Sequence, residues 1–401
     1  MDLVERYLTL GLRLGSHVDG LVDAYYGPPE LAEAVDREEL RAAGELAGDA
    51  DELLAELPPA GLDDARAGWL GDQLRGLRTS AGVLGGEEIS YVDEVEGCYG
   101  VRPERVPEDA FADTHRRLDE LLPPGGTLHE RYEAWRTANR VPAERIVETM
   151  TAILALLRAR TQELVPLPAD EEFALELVEG EPWAAFNYYL GGHRSRIVVN
   201  TDLPFSGAEI VHLAAHEGYP GHHTEHATKE ELLLDRRGHL EESLQLVPTP
   251  QALLSEGIAE LGAELLIDDG LDADFARILH GAGVPYDPAE AAAIRAAREP
   301  LGYVSWNAAL AIHEDGSSIE EAQAYIERFA LAPAKRAAHT IAFITDPTWR
   351  AYVITYTEGL RLARAWVGGD LGRFRQLLTE PVRVGELRAA ADGDAAVSSG
   401  P

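Results

Sequence analysis

The sequence predicts a mainly α-helical protein with one small β-sheet. Three observations lead there. Apolar residues recur at spacings of three and four through most of the 401 residues. Proline and glycine cluster at Gly27-Pro28-Pro29, at Pro123-Pro124-Gly125-Gly126 and at Pro166-Leu167-Pro168, leaving long segments between them. Only two short stretches, both near position 190, break the helical pattern.

The elements follow in order. Residues 2–20 carry Leu3, Tyr7, Leu10 and Leu14 on one helical face. Two long amphipathic helices, Glu108 to Leu122 and Ala143 to Leu164, each begin just after a proline, Pro107 and Pro142. The Pro166-Leu167-Pro168 break separates a helical region, 1–166, from a second region, 167–388. Residues 389–401, rich in Ala, Gly, Asp and Ser, read as a flexible tail. Aromatic-rich Ala184 to Leu190 and β-branched Ile197 to Thr201 flank Gly191-Gly192 and predict a hairpin. Such an edge either pairs with an extended substrate backbone or only packs on helices.

Composition bounds the function. Apolar residues make up 45%, as in an ordinary globular protein. The formal net charge of -35 opposes nucleic acid and anionic membrane as partners. Cys98 is the only cysteine, so no intrachain disulfide forms. There is no basic, then apolar, leader pattern and no stretch apolar enough to span a bilayer, so the expected location is the cytoplasm.

The chemistry concentrates in His216-Glu217-Gly218-Tyr219-Pro220-Gly221-His222-His223. Imidazole is a common zinc ligand, and a carboxylate beside the ion can act as general base. The run reads as His-Glu-x-x-His with an insertion, because Pro220 stands where the second His belongs. On a straight helix, six or seven residues would separate the imidazoles by about 9–10 Å. Pro220 and Gly221 must therefore bend or break the helix. Two residues looped out make His222 the second ligand, the preferred reading; three make it His223. The other imidazole then supports the site or meets substrate.

A third ligand is expected downstream. Glu256, Glu260 and Glu264 fall at i, i+4 and i+8 on an otherwise apolar helix, where a carboxylate stripe is costly unless paired or metal-bound. Glu256 is read as the ligand and Glu260 as the acceptor of a ligating imidazole's free N–H. A solvated acidic face is the plainer alternative. Glu209-x-x-His212 is half of a di-iron signature, but its second half is missing, so His212 reads as a packing or supporting residue.

These motifs resemble the bacterial family called domain of unknown function 885. The likeness rests on His-Glu-x-x-Pro-Gly-His-His, the Glu-Gly-x-Ala of Glu256 to Ala259, and Tyr356-Thr357-Glu358-Gly359 after Arg350-Ala351-Tyr352. Arg196 to Leu203, ending Asn200-Thr201-Asp202-Leu203, adds to it, and Val22-Asp23-Ala24-Tyr25-Tyr26-Gly27 is a further echo. The likeness spans residues 180–366. Ile258 and Thr224-Glu225 depart from the usual pattern, where Trp and Leu-Gln stand. The family is similar to helical zinc peptidases. That resemblance implies a large, two-lobed helical metallopeptidase-like fold with a small β-sheet at the edge of the active-site cleft. It implies zinc on His216, His222 or His223, and Glu256, with Glu217 as general base.

Further roles are expectations of the same reading. Tyr356, then Tyr352, would donate to a developing oxyanion; Tyr352 and Asn200 would meet substrate. Arg336, His339 or Arg350 could hold a substrate carboxylate. His313-Glu314-Asp315-Gly316 reads as structural, and Trp183, Trp306 and Trp349 as core. The leading function is zinc-dependent hydrolysis of peptide or amide bonds. The alternatives are hydrolysis of a small ester or amide and non-catalytic metal binding. Iron, manganese or cobalt would also suit two His and one carboxylate.

Overall fold

The computed structural model describes all residues except 181, 182, 203, 268, 269 and 399–401, and describes residues 59 and 394–398 in the backbone alone. Leu203, part of the family likeness, and the last three residues of the expected tail lie outside the described residues. The chain is mainly helical with two small sheets. Among the described residues, no helix is long and apolar enough to cross a membrane.

The helices start where the sequence signals them. Asp2 and Glu5 close a capping box on Leu3–Gly15, whose Tyr7, Leu8, Leu10 and Leu14 are buried. Glu108–Leu121 begins directly after Pro107. A single 3-10 turn, Ala143–Arg145, leads into Ile146–Leu164. The last helix, Val384–Ser398, carries secondary structure well past Arg388.

The predicted hairpin is present, inside a larger sheet. Strands β1 (Val22–Tyr25), β2 (Glu172–Val178), β3 (Ala185–Gly191), β4 (Arg194–Asn200) and β5 (Leu244–Leu246) form two sheets. In the larger, β4 is central, antiparallel to β3 and parallel to β2. Ile197, Val198 and Val199 of β4 are buried, as a β-branched run at a sheet centre should be. In the smaller sheet β1 pairs with β5, joining segments far apart in sequence.

Three large apolar clusters make the core, and they draw on both sides of the Pro166–Pro168 break. Where the helices Pro250–Ile267 and Thr355–Val367 cross, their glycines touch. A Cβ on Gly257 would stand 2.3 Å from the Gly359 carbonyl oxygen, and one on Gly359 would stand 2.4 Å from that of Leu253. The glycines of Glu256-Gly257 and Glu358-Gly359 are therefore packing residues that bring the two helices together. Trp306 is core, as expected. Trp183 and Trp349 are not: both are half-buried and line the cleft described next.

Candidate metal centre

The chain around His216 is shaped by a change of helix type. Ser206 caps Gly207–Leu213 in a capping box with Glu209. The helix then widens to a π-helix, Ala214–Gly218, carrying His216 and Glu217. Inserted residues of this kind are frequent at functional sites. The chain leaves helix at Tyr219, passes a cis Tyr219–Pro220 peptide, and starts a new helix at His222. At Gly221 it doubles back so tightly that a Cβ would lie 1.8 Å from the carbonyl oxygen of His216. That close approach explains the Pro-Gly insertion: it folds His222 onto His216.

Three donors converge as a result. His216 Nε2 and His222 Nε2 are 3.2 Å apart. Glu256 Oε2 is 3.3 Å from the first, and Glu256 Oε1 is 3.7 Å from the second. Ligands about 2.0–2.1 Å from a tetrahedral ion lie about 3.3 Å from one another. Glu256 Oε2 is buried and makes no hydrogen bond among the described residues. Two imidazole nitrogens and a carboxylate gathered at one point are a donor set that could hold a divalent cation, and the spacing suits one.

Their surroundings set the ring orientations. Ser255 donates its hydroxyl to Glu225 Oε2 at 2.6 Å, so its oxygen accepts from His222 Nδ1 at 3.1 Å. Glu225 is itself held by Lys229 Nζ at 2.6 Å. That chain leaves the His222 Nε2 lone pair facing the centre. Glu260 Oε1 stands within ion-pair reach of two rings, 3.3 Å from His216 Nδ1 and 3.4 Å from His212 Nε2, while His216 Nδ1 makes no hydrogen bond among the described residues. Burial opposes a charge on His216, but Glu256 and Glu260 outweigh it and push its pKa well up. The same field favours a cation at the convergence point. His222, by contrast, is pushed down by burial.

His223 requires a correction. It is fully buried, with Nδ1 2.8 Å from Ser195 Oγ and Nε2 2.9 Å from Glu171 Oε2. Glu171 is also bound by Tyr219 and by Arg158. Successive helical residues point about 100° apart, so once His222 faces His216, His223 must face the sheet. It anchors the turn to β4 and does not join the three donors.

The remaining expected residues divide between the cleft and its walls. Glu217, buried and without an ion-pair partner among the described residues, lines the same cavity of about 330 Å³. Burial, opposed by His216, raises its pKa to about 7. Its backbone carbonyl accepts from Asn187 Nδ2 of β3 at 2.6 Å, which ties the sheet edge to the π-helix. Tyr352 donates to Glu256 Oε1 at 2.6 Å. Tyr356 is 38% exposed in the cleft, its ring 5.7 Å from that of Tyr352. Its hydroxyl makes no hydrogen bond among the described residues.

A second cavity of about 450 Å³ adjoins the first, sharing Trp183, His212 and Tyr356 and reaching Arg336 and His339. Asn200 borders it and holds the Trp183 carbonyl at 2.9 Å. Arg350 is elsewhere, forked onto Glu94 at 2.7 and 3.1 Å, so it does not serve as the cleft's carboxylate anchor. Glu209 is engaged by Arg136 at 2.9 Å, which accounts for it without a second metal. His313 bonds the Ile344 carbonyl at 2.7 Å and is structural.

Sequence reasoning missed several residues of the cleft. Asp23 enters from β1, its pKa raised to about 7 by burial and by Glu256. The only sequence signal was its place in Val22-Asp23-Ala24-Tyr25-Tyr26-Gly27. Ser255 and Lys229 gave none, and Glu225 stood out only as a departure from the family pattern, because a proton chain across two helices leaves no local pattern.

No family model matches the sequence, and no curated protein matches it. Among solved structures, a provisionally assigned lipoprotein of Colwellia psychrerythraea superposes with TM-score 0.53 at 14% identity, covering 89% of this chain and 68% of that one. A provisionally assigned lipoprotein of unknown function from Shewanella oneidensis gives TM-score 0.50 at 14% identity, covering 90% and 75%. An M32 carboxypeptidase from Deinococcus radiodurans R1 gives 0.41 at 13% identity, covering 98% and 94%. At these identities the first two likenesses concern the fold alone.

Proposed function

We propose that this chain is a zinc-dependent hydrolase, a metallopeptidase in the form that best fits its cleft. The observation that carries the reading is the convergence of His216, His222 and Glu256 beside an unengaged, buried Glu217. The motif residues resemble family 885, which points the same way. Zinc would be held by those three side chains; when bound, it polarises a carbonyl and brings the pKa of water towards about 7.

The protein's own groups then have defined tasks. Glu217 takes a proton from the attacking water and delivers it to the leaving amine. Tyr356 donates its phenol to the carbonyl oxygen as negative charge grows there. Tyr352 holds Glu256 in place. The edge of β3, from Ala185 to Asn187, pairs with no further strand among the described residues and would offer its backbone to an extended peptide, with Trp183 and Phe186 as an aromatic wall. Two adjoining cavities suit a substrate that runs through the cleft. One of them alone is the size of a small-ligand site, which supports a small ester or amide as the second reading.

The test is Glu217→Gln. Elemental analysis should find zinc unchanged, while hydrolysis of a peptide library falls to background. Full activity in the variant would remove Glu217 from the mechanism. Wild-type protein that takes up no zinc would end the hydrolase reading. Cleavage of small esters or amides but of no peptide would select the second reading.

A further inference from the structure

A second group of ligating side chains lies away from the cleft, where the β3–β4 hairpin meets the helix that follows His222. We propose that His193, Glu231 and Asp235 form a second divalent-cation site, structural in role and of the zinc or manganese class.

His193 occupies the hairpin turn with φ 57°, and only 7% of it is exposed. Its Nδ1 lies 3.0 Å from Asp170 Oδ1, a carboxylate that can only accept, so Nδ1 carries the proton. The other nitrogen, Nε2, is buried and makes no hydrogen bond among the described residues. It points between Glu231 Oε2 at 3.6 Å and Asp235 Oδ2 at 3.5 Å. A neutral imidazole would set a lone pair against two carboxylate oxygens, an arrangement that repels itself. The separations are long for hydrogen bonds, but near the spacing of donors that share one ion at about 2.0–2.2 Å. Asp170 behind the imidazole completes the carboxylate–histidine pairing that commonly orients a ligating ring.

The placement is built into the backbone. Glu230 Oε1 accepts from Gly192 N at 2.9 Å, and its Oε2 accepts from His193 N at 3.1 Å and from the Tyr189 hydroxyl. The neighbouring π-helix Glu230–Asp235 is thereby locked to the turn. Glu231 and Asp235, four residues apart on it, are brought to the same nitrogen. Arg236 binds Glu231 Oε1 and leaves Oε2 for the site. One imidazole and two carboxylates, partly open to solvent, match a borderline cation that completes its shell with water. Bound there, the ion would staple the β3–β4 turn to the helix running from the metal centre, and so hold the sheet edge against the cleft.

The competing account is an imidazolium caged by three carboxylates, and zinc binding separates the two. Protein stripped with chelator is dialysed against zinc, and bound metal is counted for wild type and for Glu231→Gln/Asp235→Asn, whose changes are near the surface and isosteric. The proposal expects one zinc ion fewer per chain in the variant, whatever the count at the cleft, with a melting temperature that responds less to zinc. Asp170→Asn should weaken the same ion by about 10–100-fold. Equal zinc in wild type and the double variant, both folded by circular dichroism, overturns the site in favour of the caged imidazolium.

Discussion

His222 and His223 are adjacent and chemically identical, yet their fates differ completely. The sequence shows that two imidazoles and a carboxylate could share an ion, because His216, Glu217 and the Glu256 helix each announce themselves locally. It does not show which of the paired histidines turns inward, since that depends on the path through Pro220 and Gly221 and on Glu171 and Ser195, which receive His223. The tyrosines divide in a similar way. Tyr352 spends its hydroxyl on Glu256, whereas that of Tyr356, in the cleft, has no partner among the described residues. The two Tyr→Phe variants should therefore fail differently. Tyr356→Phe should lower kcat by about 10²–10³ with bound zinc unchanged, as expected for loss of one donor to a developing oxyanion. Tyr352→Phe should weaken zinc by about 10–100-fold, since it removes a support of a ligand. Parallel kinetics and zinc titrations check both, and equal effects on zinc would remove the distinction between the two tyrosines.

The π-helix, the Tyr219–Gly221 turn and the short helix from His222 act together as one element that converts a linear motif into a convergent site. The need for a break was legible, because a straight helix cannot bring those imidazoles together. Its form was not, since a π-turn has no distinctive composition. Strand β2 went unread for a related reason: with Glu172 and Glu176 in it, it lacks the apolar run of a buried strand, and it exists because β4 offers it an edge. Strands β1 and β5 find each other across most of the chain and bring Asp23 with them. The turn makes a clear prediction. In Gly221→Ala the new methyl meets the His216 carbonyl oxygen, a backbone atom that cannot swing aside. The backbone must open, carrying His222 away from His216. The expected outcome is a folded protein, somewhat less stable by about 1–3 kcal/mol, that has lost the cleft zinc. Retention of that zinc with native affinity would show that the tight turn is not what pairs the histidines.

At the scale of the whole molecule, the acidic composition reaches the interior, and it couples stability to pH. Glu242 is 2% exposed, in the turn Leu240–Ser243 that packs on the first helix and on Glu230–Asp235 and leads into β5. Burial first, and then Glu241 and Glu225, raise its pKa to about 7 against the pull of Lys229. In the unfolded chain the same group titrates near about 4.3. The folded state thus holds this proton more tightly. Its contribution to stability is complete below the unfolded value, and it is lost as pH rises through about 7. The gap corresponds to roughly 4 kcal/mol for one group. Glu242→Gln, which keeps the shape and cannot ionise, should match wild type at about pH 4 and melt higher than wild type above about pH 8. Melting curves across that range, on chelator-stripped protein so that release of metal at low pH does not contribute, measure the difference. A constant offset between the two proteins at every pH would mean that Glu242 is ionised throughout, with Lys229 and Arg66 outweighing its burial.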